Sequence, residues 1–259
     1  MNSSNDRVVQ NLMLALGDGQ IVQTEDGTAT LRHYAAGDLI VTSGSIVAWD
    51  PCDPIFSGEE PQPFEQRVEP GRYPVVLSIA HSPGGDQRVA YATLRIRENE
   101  PVRWDVARLR GVEADAGGDG EYAWSYSVET GTGCFMDADV LRVAQGQPDD
   151  ELGSARTINQ AISDTYVNTW GWANVSLEPE MAANIVAFTS GDGDGTYLTY
   201  LVPLAGSFSA CLARCRVRGD FSERLLNVRN HFQRRVLGYD ASNVLMCYTT
   251  DFGLFATEP

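Results

Sequence analysis

A chain of 259 residues with 43% hydrophobic side chains is long enough to bury a substantial core and too apolar to be disordered. Its formal net charge of −16 sets it against nucleic acid and anionic membrane surfaces, and points to a basic protein as the partner to expect. All 19 basic residues are arginine, so Schiff-base chemistry on lysine and a Walker-type phosphate loop are both excluded.

The start of the chain lacks the basic stretch and apolar run of a secretory signal, and no apolar run approaches the length of a membrane span. A cytoplasmic location is expected. The five cysteines, Cys52, Cys134, Cys211, Cys215 and Cys247, have neither the number of a disulfide framework nor the spacing of a zinc site. Buried thiols are the simplest reading.

In chain order, Val8, Val9, Leu12, Met13 and Leu16 keep helical spacing up to Gly17. Short strands are predicted at 20–23, 29–33, 38–41 and 45–49, with Ala36-Gly37 read as punctuation and Asp50-Pro51 as a stop. Residues 52–70, rich in Pro, Glu and Gly, read as a surface loop. The clearest local signal is a hairpin, strands 72–81 and 88–97 about the turn Ser82-Pro83-Gly84-Gly85-Asp86. Further strands are predicted at 101–106 and 121–129. Residues 131–136 read as a glycine-rich turn into a short helix at 137–144, with Asp137 as its cap.

A longer helix is predicted at 154–169 and another at 222–237, where Leu225, Val228, Phe232 and Val236 fall at spacings of three and four. Strands resume at 184–189, 196–201, 207–212 and 244–249. With no regular βα alternation, the pattern predicts an α+β fold with a mostly antiparallel, β-rich sheet or sandwich. A single domain over 1–259 is expected, with 211–259 as a possible C-terminal extension.

Five segments recur in a definite order: Ser43-Gly44-Ser45-Ile46-Val47-Ala48-Trp49-Asp50-Pro51; Pro70-Gly71-Arg72-Tyr73-Pro74-Val75; Arg88-Val89-Ala90-Tyr91-Ala92; Gly131-Thr132-Gly133-Cys134-Phe135-Met136-Asp137; and Ser190-Gly191-Asp192-Gly193-Asp194-Gly195-Thr196-Tyr197. At these separations the chain resembles the bacterial family known as domain of unknown function 4241, over roughly residues 44–200. The resemblance implies a related fold and a bacterial setting, and it assigns no reaction. The chain departs from the family pattern at Glu129-Thr130 and after Tyr197.

Asp192 and Asp194, in Gly-Asp-Gly-Asp-Gly, present two carboxylates on a glycine-rich loop, as a hard cation such as Ca²⁺ or Mg²⁺ requires. The position where an EF-hand needs glutamate is Pro203, so the competing reading is a hairpin turn between flanking strands. Joined by Asp137, the pair would form the cluster of a metal-dependent hydrolase. Asp50, Cys134, Asp137, Gly193 and Tyr197 are the candidate binding residues. For Cys134 a core position outweighs catalysis, and for Asp137 the helix cap outweighs an anion site. The four tryptophans Trp104, Trp124, Trp170 and Trp172 read more readily as core than as a groove, and the late arginines from Arg214 to Arg235 as a solvated face.

Two functions follow from these readings. The first is a binding or regulatory protein of the bacterial cytoplasm, of the immunity type, needing no cofactor. The alternative is the metal-dependent hydrolase built on Asp137, Asp192 and Asp194.

Overall fold

A computed structural model of the chain describes residues 12–24, 27–52, 61–96, 105–113, 124–145, 153–191, 193–201, 211–214 and 247–248. The fold is α+β and strand-rich, and every described pairing is antiparallel. The larger sheet follows the order Ile21–Thr24 (β1), Gly27–Val41 (β2), Gly71–His81 (β4), Gln87–Leu94 (β5), Cys211–Arg214 (β12), Gly195–Leu201 (β11) and Cys247–Tyr248 (β13). Asp105–Val106 (β6) and Tyr126–Val128 (β7) also pair with β11. The smaller sheet runs Ile46–Trp49 (β3), Thr132–Asp137 (β8), Ile185–Thr189 (β10) and Trp172–Val175 (β9).

The two sheets meet where β2 lies against β8, β9 and β10, and their buried side chains form one cluster. Leu39, Leu77, Tyr91, Phe135, Val186 and Phe188 are all within 1% of complete burial. Such strands need apolar residues on both faces where sheet packs on sheet, and alternation where one face meets water. β8 is buried along its whole length, whereas β11 alternates.

Several sequence expectations change. The strands predicted at 29–33 and 38–41 are one strand, β2, and Ala36-Gly37 is a bulge within it. Gly37 has φ +100°, and a Cβ there would sit 2.4 Å from Asn174 Nδ2. The glycine therefore serves a bulge and a close approach, two uses that local punctuation cannot separate from a turn. Residues 131–136 are not a turn: from Thr132 they form the central strand β8. Gly133 makes room for the Phe188 ring, which would lie 3.1 Å from its Cβ.

The predicted hairpin across Ser190–Gly195 is likewise absent. β10 pairs with β8 and β9, while β11 belongs to the other sheet, so this segment crosses between sheets. Strand β9 was not anticipated, because Trp170 and Trp172 carry no alternating pattern.

The 72–81 and 88–97 hairpin forms as β4 and β5, closed by Ser82 N–H donating to Asp86 O at 2.9 Å. Residues 12–15 are helical, and the two middle helices are Ala138–Gln145 and Gly153–Thr165. The second stops four residues earlier than predicted. Thr165 Oγ donates to Trp172 O, and residues 167–170 form a tight turn with Asn168 at φ 56°. The helix predicted at 222–237 lies outside the described residues.

Candidate functional site

The candidate residues separate into two groups at opposite ends of the β3–β8 pair. Asp137 closes β8 and is wholly buried. Its Oδ2 accepts the backbone N–H of Thr42 at 2.9 Å, the N–H of Ser43 at 2.9 Å and the Ser43 hydroxyl at 2.9 Å. Its Oδ1 accepts the N–H of Asp139 at 2.8 Å, which is the N-cap bond of the helix Ala138–Gln145. The receiving loop is built for an anion. Gly44 at φ +74° follows Ser43, a pairing that turns successive N–H groups toward one point, and the anion held there is the chain's own carboxylate.

Asp50 repeats this arrangement at the other end. Its Oδ2 accepts the N–H groups of Glu129 at 2.9 Å and Thr130 at 2.8 Å, its Oδ1 the N–H of Cys52 at 2.9 Å, and the Thr130 hydroxyl donates to both oxygens. Gly131 follows at φ +65°. Burial pushes the Asp50 carboxyl above its usual range, and the Thr130 hydroxyl and backbone donors pull it back. Each aspartate therefore ends one strand of the pair and holds the loop that enters the other.

The reciprocity is written in the sequence as a repeated pattern, Ser/Thr-Gly-Ser/Thr-x4-Asp, at Ser43-Gly44-Ser45 with Asp50 and at Thr130-Gly131-Thr132 with Asp137. The sequence reading missed it because the two copies are far apart and only the pairing of β3 with β8 brings them together. With their lone pairs given to N–H and O–H donors, neither carboxylate is presented to a substrate or a cation.

Tyr197 and Gly193 join the Asp50 end. The Tyr197 ring stacks on Tyr126 at 5.8 Å, Tyr126 reaches Trp49 at 6.5 Å, and the Tyr197 hydroxyl donates to Gly193 O and, at 3.4 Å, to Ser190 O. Gly193 packs on Gly131, its Cα lying 3.6 Å from where a Cβ on Gly131 would stand. Asp137 is separated from this end by the length of β8, roughly 20 Å at about 3.4 Å per residue. It therefore does not converge with the exposed Asp194. Asp192 lies outside the described residues, and among the described residues no group of three His, Cys, Asp or Glu is placed to hold a metal ion. Cys134 is wholly buried in mid-strand, opposite Trp49 and Ala187. That position denies a substrate access to its thiol.

Cys52 stands beside Asp50. Burial, and then the Asp50 charge, push its thiol up to about 12. Thiolate is the reactive form. Cys52 in the folded protein is therefore expected to resist iodoacetamide at pH 8, and to react at the rate of a free thiol once urea unfolds the chain. Peptide mapping after timed quenching checks this; full alkylation of Cys52 in the native state would contradict the site as described.

The structure also assembles a feature that sequence reasoning divided among core residues. Tyr34 on β2, Trp170 and Trp172 form a closed triangle of rings, with centroids 5.1, 4.3 and 5.5 Å apart. Tyr34 is 38% exposed, and the adjoining Tyr166 and Val167 are 53% and 48% exposed. The patch is fixed from beneath: Trp170 Nε1 donates to Gln87 Oε1 at 3.2 Å, and the Thr169 hydroxyl donates to Gln87 O. Asp86 stands beside it, accepting the Thr169 hydroxyl at 3.4 Å and paired with Arg88 at 2.7 Å.

Comparison with curated proteins finds no match, and neither does comparison with solved structures. The family model described as protein of unknown function DUF4241 matches residues 39–205, which spans the motifs that carry both aspartate clamps, the Tyr197 loop and most of the aromatic patch. The chain belongs to the DUF4241 family.

Proposed function

We propose that this chain is a binding module, a regulatory protein of the bacterial cytoplasm that captures a basic protein partner. An immunity-type protein occluding a basic toxin is the form of this reading that its charge suits best. The carrying observation is the exposed cluster of Tyr34, Tyr166 and Val167, backed by the partly buried Trp172 and the buried Trp170. Tyrosine side chains held against neighbouring rings supply contact area at little entropic cost, the usual make-up of an interface hot spot. Their ring faces also attract arginine and lysine side chains. A net charge of −16 adds long-range attraction for a basic partner and speeds its encounter.

The test is affinity capture with the wild type, Tyr34→Ala and Tyr166→Ser in parallel, at low and high salt, after thermal unfolding has shown that both variants fold. A basic protein held by the wild type, weakened at least tenfold by either substitution and released by salt, is the expected result. Equal retention by all three proteins would remove the patch from the function.

A further inference from the structure

We infer that Arg67 and Arg110 form a binding site for a phosphate group at the Ser43-Gly44-Ser45 turn. Arg67 is the bridge partner of Ser45, so their side chains leave the same face of that short pairing. The Arg67 guanidinium donates to Ser43 O at 2.5 Å. Arg110 reaches the same turn from the adjoining segment, donating to Ser45 Oγ at 3.0 Å and to Phe64 O at 3.4 Å. Two exposed guanidinium groups thus approach one three-residue turn, each with further N–H donors to offer.

Two cations on one face repel each other, and neighbouring carboxylates ordinarily cancel that cost. The chain has 35 acidic residues against 19 basic ones, so carboxylates are abundant. Among the described residues, however, the ion pairs are made by Arg32, Arg72 and Arg88, and neither Arg67 nor Arg110 takes part in one. Arg108, on the same segment as Arg110, lies over the Trp124 ring instead, at 5.1 Å. Two carboxylates meet this turn: Asp139 Oδ2 accepts the Thr42 hydroxyl at 3.3 Å, and the wholly buried Asp137 holds the N–H groups of Thr42 and Ser43. Neither forms an ion pair with Arg67 or Arg110.

An oxyanion seated between the two guanidinium forks would complete the arrangement. Donors arriving from two arginines suit a tetrahedral phosphate, whose oxygens point in several directions. A lone carboxylate offers one planar edge, which a single fork satisfies. The turn itself is rigid, because a Cβ on Gly44 would stand 2.7 Å from Val68 O and Asp137 clamps the backbone from below. The site is thus preorganised, and binding should need little rearrangement.

The experiment is thermal unfolding of the full chain in inorganic phosphate, in acetate and in sodium chloride at matched ionic strength, for the wild type, Arg67→Gln, Arg110→Gln and the double variant. Both residues are exposed, so the variants are expected to fold, and circular dichroism verifies that. Phosphate should raise the wild-type midpoint by several degrees over the chloride control. Each single variant should lose most of that shift, and the double variant all of it. An equal shift in all four proteins would reduce the effect to bulk screening and overturn the site. So would the absence of any wild-type shift beyond chloride. A shift as large with acetate would overturn the phosphate assignment.

Discussion

Replacing Asp137 by alanine is expected to lower the unfolding free energy by about 3–5 kcal/mol, among the largest single-residue effects in the chain. The substitution leaves the N–H groups of Thr42, Ser43 and Asp139 without their acceptor in a site that excludes water, and removes the cap of the helix Ala138–Gln145. Asp137→Asn is nearly isosteric, yet it sets an amide NH2 against N–H donors and recovers only part of the loss. The same reasoning applies to Asp50→Ala, which orphans the N–H groups of Cys52, Glu129 and Thr130. Because both carboxylates hold the two ends of one strand pair, the double alanine variant is expected to cost less than the sum of the singles. Urea unfolding of the four proteins measures all three quantities. A loss below about 1 kcal/mol for Asp137→Ala would mean that water replaces the carboxylate and that the clamp is not structural.

Asn184→Ala is expected to cost about 2–4 kcal/mol through the junction between the sheets. Asn184 is 6% exposed and links three elements: its Oδ1 accepts Ile40 N–H at 2.7 Å, and its Nδ2 donates to Asp38 O at 2.8 Å and to Asn174 Oδ1 at 2.6 Å. Asn174 in turn donates to Asp38 O at 3.3 Å and lies against Gly37. This pair of amides meets two backbone groups of β2 just beyond its bulge, Asp38 O and Ile40 N–H. Asn184→Asp tests the donors separately. It keeps an acceptor for Ile40 but turns an acceptor toward Asp38 O and Asn174 Oδ1, so its loss should match or exceed that of alanine. A stable Asn184→Asp protein would show that the amide is not oriented as described.

Much of the architecture is legible in the residues because it rests on local signals. The β4–β5 hairpin follows from alternation around Pro83-Gly84-Gly85, and the helices at 138–145 and 153–165 from spacing and caps. The errors share a cause, which is that glycine has several uses. Gly37 serves a bulge, Gly133 clears space for Phe188, and Gly191 with Gly193 lets the chain leave one sheet for the other, yet each resembles an ordinary turn in sequence. For the site, Asp50 and Asp137 stand out in sequence as candidate binding residues, whereas in the structure their partners are largely backbone N–H groups, which no residue type announces. Trp170 is core, as its sequence reading has it, and Trp172 packs against the core, but sequence does not reveal that the exposed Tyr34 would lie against both rings.

The reciprocal clamps also constrain how the chain can be made. Asp137 is bonded to Ser43 across 94 residues, and Asp50 to Thr130 across 80. A nascent chain emerging from the ribosome cannot shield the Ser43 loop until Asp137 has appeared, nor give β8 its second neighbour until β10 has followed. Synthesis at about 5–20 residues per second then leaves β3 without its partner for several seconds. During that interval its apolar run Ile46-Val47-Ala48-Trp49 is an open edge. Assembly of this protein is thus a late, near-simultaneous event, in which the small sheet closes only after most of the chain has been translated.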